Sequence, residues 1–176
     1  MHEASAIDSN GGPEERAAAR AKDTEKRWQD VSSETFLANQ DVFHFLDAKG
    51  FRYYLPALMV WNLRFIGTAG HEHNSYVIES LENVLQETDY LLGHFQSLTL
   101  EQARAVAHFL EFHAERDQLM LADSKSESGK IMSDLGFSEQ QIDLFLSKKS
   151  KVSFAASGAQ QALDLYWGQF LDWSEI

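Results

Sequence analysis

The chain has no cysteine and only two prolines in 176 residues. Without thiols it can have no disulfide framework, no thiolate nucleophile and no cysteine-ligated zinc, and a reducing cytoplasm is the compartment that fits best. Cationic side chains are also scarce: 15 Lys and Arg stand against 27 Asp and Glu, a formal net charge of −12. The deficit is concentrated between His71 and Leu121, where nine acids meet only Arg104 and Arg116. Nucleic-acid affinity rests on cationic groups displacing counterions from phosphates, so such a surface argues against DNA or RNA as a partner.

Long apolar runs are missing as well. The one starting at Tyr53 is broken by Asn62 and Arg64, short of the roughly 20 residues that span a bilayer. The opening MHEASAIDSNGGPEERAAAR shows no basic stretch followed by an apolar one, so it does not read as a secretory signal. A soluble, cytoplasmic protein with no membrane association is the expectation. The serine elbow G-x-S-x-G, the P-loop, G-x-G-x-x-G and H-E-x-x-H are all absent, and with them the commonest routes to acyl transfer, nucleotide binding and zinc hydrolysis. The balance is against catalysis, and no cofactor is implied.

What the chain does have is enough apolar content (44%, with 12% aromatic) to fill a core. Residues 1–12 are small and polar and read as a disordered tail, leaving 13–176 as one helical domain with its core in 36–173. Pro13 with Glu14 and Glu15 suits a first helical turn, and the Ala-rich helix that follows should dock only near Trp28 and Val31. Val42, Phe43, Phe45 and Leu46 suggest a helix over Asn39 to Ala48 that stops at Gly50. Phe51 to Leu55 should be extended, because the residue before a proline is pushed out of the α region, with a central helix running from Pro56 to about Gly67.

Val77, Ile78, Leu81, Val84 and Leu85 recur at helical spacing. Thr99 and Gln102 form a capping box ahead of the stripe Ala103, Val106, Ala107 and Leu110. Asp123 to Lys130 reads as a surface loop and Gly136-Phe137 as a turn. Ser138 with Gln141, and Ser157 with Gln160, cap two further helices. The fold class is all-α: a compact single-domain bundle of about six helices with a loosely docked N-terminal helix.

FHFLDAKGFRYYLPALM (Phe43 to Met59), LTLEQARAVAHFLEF (Leu98 to Phe112) and ALDLYW (Ala162 to Trp167) together resemble an uncharacterised bacterial family, a domain of unknown function. The resemblance runs over most of Phe36 to Trp173 and leaves the N-terminal extension uncovered. It implies a small, mainly helical bacterial protein and brings no activity, cofactor or catalytic residue.

Three groups of residues are candidate sites. His71-Glu72-His73 is the best ligand-like cluster, since alternate residues of an extended loop can point two imidazoles at one divalent metal ion. A third ligand would have to come from elsewhere, such as His94, His108 or His113. Arg52, Tyr54 and Arg64, beside Tyr53 and Trp61, could hold a carboxylate or phosphate; otherwise the rings are core and the arginines pair with acids. Glu79, Glu82, Glu111 and Glu115 belong to the acidic stretch, whose lack of lysine suits recognition of a basic protein partner. A non-catalytic interaction module, immunity-protein-like by analogy, is therefore the leading expectation. A metal- or ligand-binding protein or enzyme using the histidine loop and the two arginines is the alternative. A homodimer is a further possibility, through the aromatic C-terminal segment or the Ala-rich N-terminal helix.

Overall fold

The computed structural model describes residues 1–39, 43, 45–66, 75–82, 88–153 and 157–171. Among them are nine α-helices and no strand: α1 (His2–Asp8), α2 (Pro13–Arg20), α3 (Ser33–Ala38), α4 (Ala48–Phe65), α5 (Ser75–Glu82), α6 (Thr88–Gln96), α7 (Leu100–Asp134), α8 (Glu139–Ser153) and α9 (Gly158–Leu165). Short 3-10 turns at Trp28–Asp30 and Trp167–Phe170 complete them. The all-α class holds, with nine α-helices among the described residues where about six were expected. The chain divides into two compact units, Met1–Ala103 and Arg104–Ile176, where composition suggested one domain over 13–176.

The first unit is built on α4, which starts eight residues before the expected Pro56. Asp47 is its N-cap, and its carboxylate accepts the Gly50 N–H at 2.7 Å. Gly50 therefore lies in the first turn of a helix rather than after the last, and residues 40–42 and 44 of the helix expected over Asn39 to Ala48 lie outside the described residues. Among the described residues of that stretch, Asn39 to Leu46 are outside any α-helix, and α4 begins at Ala48. Phe51 to Leu55 are helical too, with Pro56 inside α4. Pro56 has no N–H to give the Arg52 carbonyl.

Phe51 is the aromatic centre of this unit. Its ring lies 5.2 Å from Phe43, 5.5 Å from His94 and 5.9 Å from Phe95. Phe36 and Trp61 pair at 5.9 Å, and Tyr54, Leu55, Leu58 and Leu81 are also buried. His94 is buried as well, with Nε2 donating to the Leu46 carbonyl at 2.7 Å.

The N-terminal residues depart from the disordered tail that their composition suggested. α1 packs on α2, Met1 and Ala4 are buried, and Asp23 gathers the chain start. One Asp23 oxygen lies 3.0 Å from the Met1 ammonium, 2.9 Å from His2 Nδ1 and 3.2 Å from the His2 backbone nitrogen. Arg20 and Glu3 form a further ion pair between α1 and α2. Composition missed this because the partner of residues 1 and 2 lies more than twenty positions away. α2 itself buries no side chain.

The second unit holds most of α7, which begins at the box read from sequence. The Thr99 N–H donates to Gln102 Oε1 at 3.0 Å and the Gln102 N–H to Thr99 Oγ1 at 3.3 Å. Asp123 to Lys130, expected as a loop, are the interior of this helix. Serine and glycine weaken a helix by less than about 1 kcal/mol each, and a helix already nucleated and capped extends through them. It stops at Gly136, whose φ of 84° is left-handed. The Gly136 N–H returns to the Ser133 carbonyl and that of Phe137 to Met132, the reciprocal pair that closes a helix C-terminus. Near the other end of the unit, Ser157 Oγ accepts the Gln160 N–H at 3.3 Å to start α9, which buries Ala159, Ala162 and Leu163.

Candidate functional site

Of the three candidate groups, the histidine loop falls outside the described residues: His71, Glu72 and His73 have no structural counterpart. The three histidines named as further ligands each have contacts of their own. His94 bonds the Leu46 carbonyl, His108 Nδ1 lies 3.1 Å from Glu111 Oε2, and His113 is buried against the rings of Phe109 and Phe112. Among the described residues no three His, Asp or Glu side chains are placed to hold a metal ion.

Arg52, Tyr54 and Arg64 are not brought together. All three lie on α4, where 100° per residue sets Tyr54 about 160° around the axis from Arg52, and Arg64 about 120° from it and some 18 Å further along. Both arginines are exposed, and no ion pair to either is found among the described residues. Tyr54 is buried. Burial, and then the negative charges of Asp23 and Glu25, push its hydroxyl well above the usual tyrosine range, so it is neutral and joins the core. An anion site on these residues has no geometric support.

The acidic residues fare differently. Glu79 is exposed on α5 and Glu82 closes that helix. Glu111 and Glu115 stand one turn apart on α7, in the second unit, and line one wall of a cleft of about 320 Å³. Ala114 and Gln118 share that wall, while Gln160, Leu163 and Asp164 of α9 form the other, with Gly168 and Leu171 beyond. Three carboxylates and two carboxamides thus surround a small apolar floor, and no lining residue is cationic. Gln160 Nε2 donates to Asp164 Oδ1 at 2.9 Å, which fixes that carboxylate at the rim. Glu115 and Asp164 are exposed.

Gly168 shapes the far end. A Cβ there would sit 2.8 Å from the Leu163 carbonyl oxygen, so only glycine lets the 3-10 turn close onto α9. Chemically the cleft suits an extended side chain that ends in a positive charge: methylenes against Leu163 and Ala114, the cation among the carboxylates. Asp164, Gln160 and Gln118 were not among the sequence candidates. Their helical phases are readable, but which helix lies beside α7 is a tertiary fact that no local pattern carries.

A second cleft, of about 460 Å³, lies in the first unit among His2, Ser9, Glu15, Lys22 and Asn39. Its charges are of both signs, and it has no comparable preference.

A family model described as "Family of unknown function (DUF6714)" matches residues 1–133. The match takes in the N-terminal residues that the sequence resemblance left uncovered and ends one residue before α7 does. No curated protein and no solved structure matches the chain.

Proposed function

The chain belongs to this family of unknown function, and on that premise we propose that it is a non-catalytic protein-interaction module of the cytoplasm that binds a basic protein. The α7–α9 cleft receives a lysine or arginine side chain of the partner, with Glu111, Glu115 and Asp164 around the cation. Glu79 and Glu82, in the first unit, add to the net negative charge of the chain, which favours a basic partner at long range. The analogy is to an immunity protein that covers a basic toxin, by charge profile alone.

The observation that carries this reading is the lining of the cleft, three carboxylates with no basic residue among them, in a chain of net charge −12. Most acidic surface only keeps a protein dissolved. A concave site of one sign focuses its field and selects a cation. Among the described residues no helix is long and apolar enough to cross a membrane.

The test is affinity capture on immobilised full-length protein, washed at low and at moderate salt, beside the triple variant Glu111→Lys, Glu115→Lys, Asp164→Lys. The reading expects one basic protein in near-equal amount, released by salt and lost in the variant, with association slowed at least about tenfold. Capture that ignores the charge reversal, or no specific capture at all, removes it.

A further inference from the structure

α1 closes on the pair Asn10-Gly11. Among the described residues Asn10 is the only non-glycine with a left-handed backbone, φ 56°, a conformation that asparagine tolerates better than most residues bearing a Cβ. Its N–H returns to the Ile7 carbonyl at 2.9 Å and that of Gly11 to the Ala6 carbonyl at 2.7 Å, the paired bonds that end a helix. Gly11 is buried, and a Cβ on it would sit 2.7 Å from the Ala6 carbonyl oxygen. The turn therefore calls for a small polar residue followed by glycine.

That requirement places a reactive pair at the surface. Asparagine is among the chemically labile side chains, most of all ahead of glycine, where no side chain shields the next backbone nitrogen. When the Gly11 nitrogen attacks Asn10 Cγ, a C–N bond forms to close a cyclic imide and the Cγ–Nδ2 bond breaks. Ammonia leaves with the Gly11 amide proton. Water then opens the imide, at Cγ to give aspartate or at the main-chain carbonyl to give isoaspartate, in which the chain runs on through the side chain. Nothing is oxidised or reduced, and Asn10 is exposed to the water that the step consumes.

The closed turn withholds what this attack needs. The Gly11 nitrogen has to lose its proton and swing towards Cγ by rotation about the Asn10 Cα–C bond, yet that proton is held by the Ala6 carbonyl. Arg16 Nε donates to the Gly11 carbonyl at 2.8 Å, and the Gly12 N–H donates to Glu15 Oε2 at 2.9 Å. The peptide planes on both sides of Gly11 are thus fixed. Reaction has to wait until α1 comes away from α2, against the burial of Met1 and Ala4 and the Glu3–Arg20 pair. Helices at a chain end open at a small fraction of the global unfolding free energy.

We propose that Asn10 is a site of spontaneous deamidation gated by the opening of α1 from α2, and that the isoaspartate product keeps α1 released. Isoaspartate adds a methylene to the backbone path, so the Gly11 N–H no longer falls on the Ala6 carbonyl when the turn tries to close. The new carboxylate also stands at the C-terminal end of α1, where the helix dipole opposes it. An opening that is reversible in the unmodified chain becomes permanent.

The full chain at neutral pH is sampled over time by mass spectrometry and by enzymatic methyl labelling of isoaspartate, beside the same chain unfolded in urea. Position 10 should convert in both, about ten- to a hundredfold more slowly in the folded chain, because only its open fraction reacts. Arg16→Ala removes one clamp and should speed the folded chain about three- to tenfold with no change in urea, while Asn10→Gly should fold and remain unmodified in this turn. The converted chain, separated by ion exchange, should lose hydrogen-exchange protection in α1 and keep it in α4. Equal rates in the two states, no conversion of the folded chain, a folded rate indifferent to Arg16→Ala, or a converted chain whose α1 is still protected would each overturn the proposal.

Discussion

The His94 imidazole donates through Nε2 to the Leu46 carbonyl at 2.7 Å, a buried bond between residues 48 positions apart. A carbonyl can only accept, so the proton is on Nε2 and the tautomer is fixed by the fold. The same ring meets Phe51 edge-on at 5.5 Å, and the Ser97 hydroxyl donates to the His94 carbonyl at 2.6 Å. Residue 94 thus ties α6 to the chain entering α4.

His94→Ala removes a ring from the Phe51 cluster and a buried hydrogen bond to the Leu46 carbonyl. Unfolding in urea should show a loss of about 2–4 kcal/mol. A loss below about 0.5 kcal/mol would mean the contact is incidental.

Asp23 is a pH-sensitive tie. Burial alone would raise its carboxyl, but the hydrogen bonds from the His2 side chain and the Met1 ammonium outweigh burial and hold it below the usual carboxylate range. A depressed native pKa gives stability that is present above the unfolded value of about 3.9 and is lost as pH falls through the native one. Asp23→Asn should therefore be less stable than the natural chain at pH 7, and the gap should close below about pH 4. Paired thermal melts at pH 7 and in acid check this; a gap that persists unchanged in acid contradicts it.

Pro56 stands inside α4 with no N–H to give the Arg52 carbonyl. Pro56→Ala restores that donor and removes an unfavourable residue from a helix interior, so stability should rise by about 1–3 kcal/mol. Should the variant melt lower, the pyrrolidine ring has a packing role that outweighs its backbone cost.

Pro56 also marks where local reading stops being reliable. The Thr99–Gln102 box was legible because every group in it lies within four residues, and both of its hydrogen bonds are present. Gly50 was misread although its partner Asp47 is equally near, because glycine serves the first turn of a helix as well as its end and Pro56 suggested a later start. The all-α class followed from apolar spacing, which survives such errors of boundary. Of the cleft's three carboxylates, Glu111 and Glu115 stand out in the sequence by charge. Asp164 does not, because its relevance comes from α9 lying beside α7. The Arg52 and Arg64 cluster failed for the converse reason: nearness in sequence was mistaken for a shared face.

The close approach at Gly168 limits how the cleft can vary. A Cβ there would press on the Leu163 carbonyl oxygen, so any larger residue would push the 3-10 turn away from α9 and open the far end. The charged walls can be retuned one side chain at a time, while that end of the mouth stays fixed.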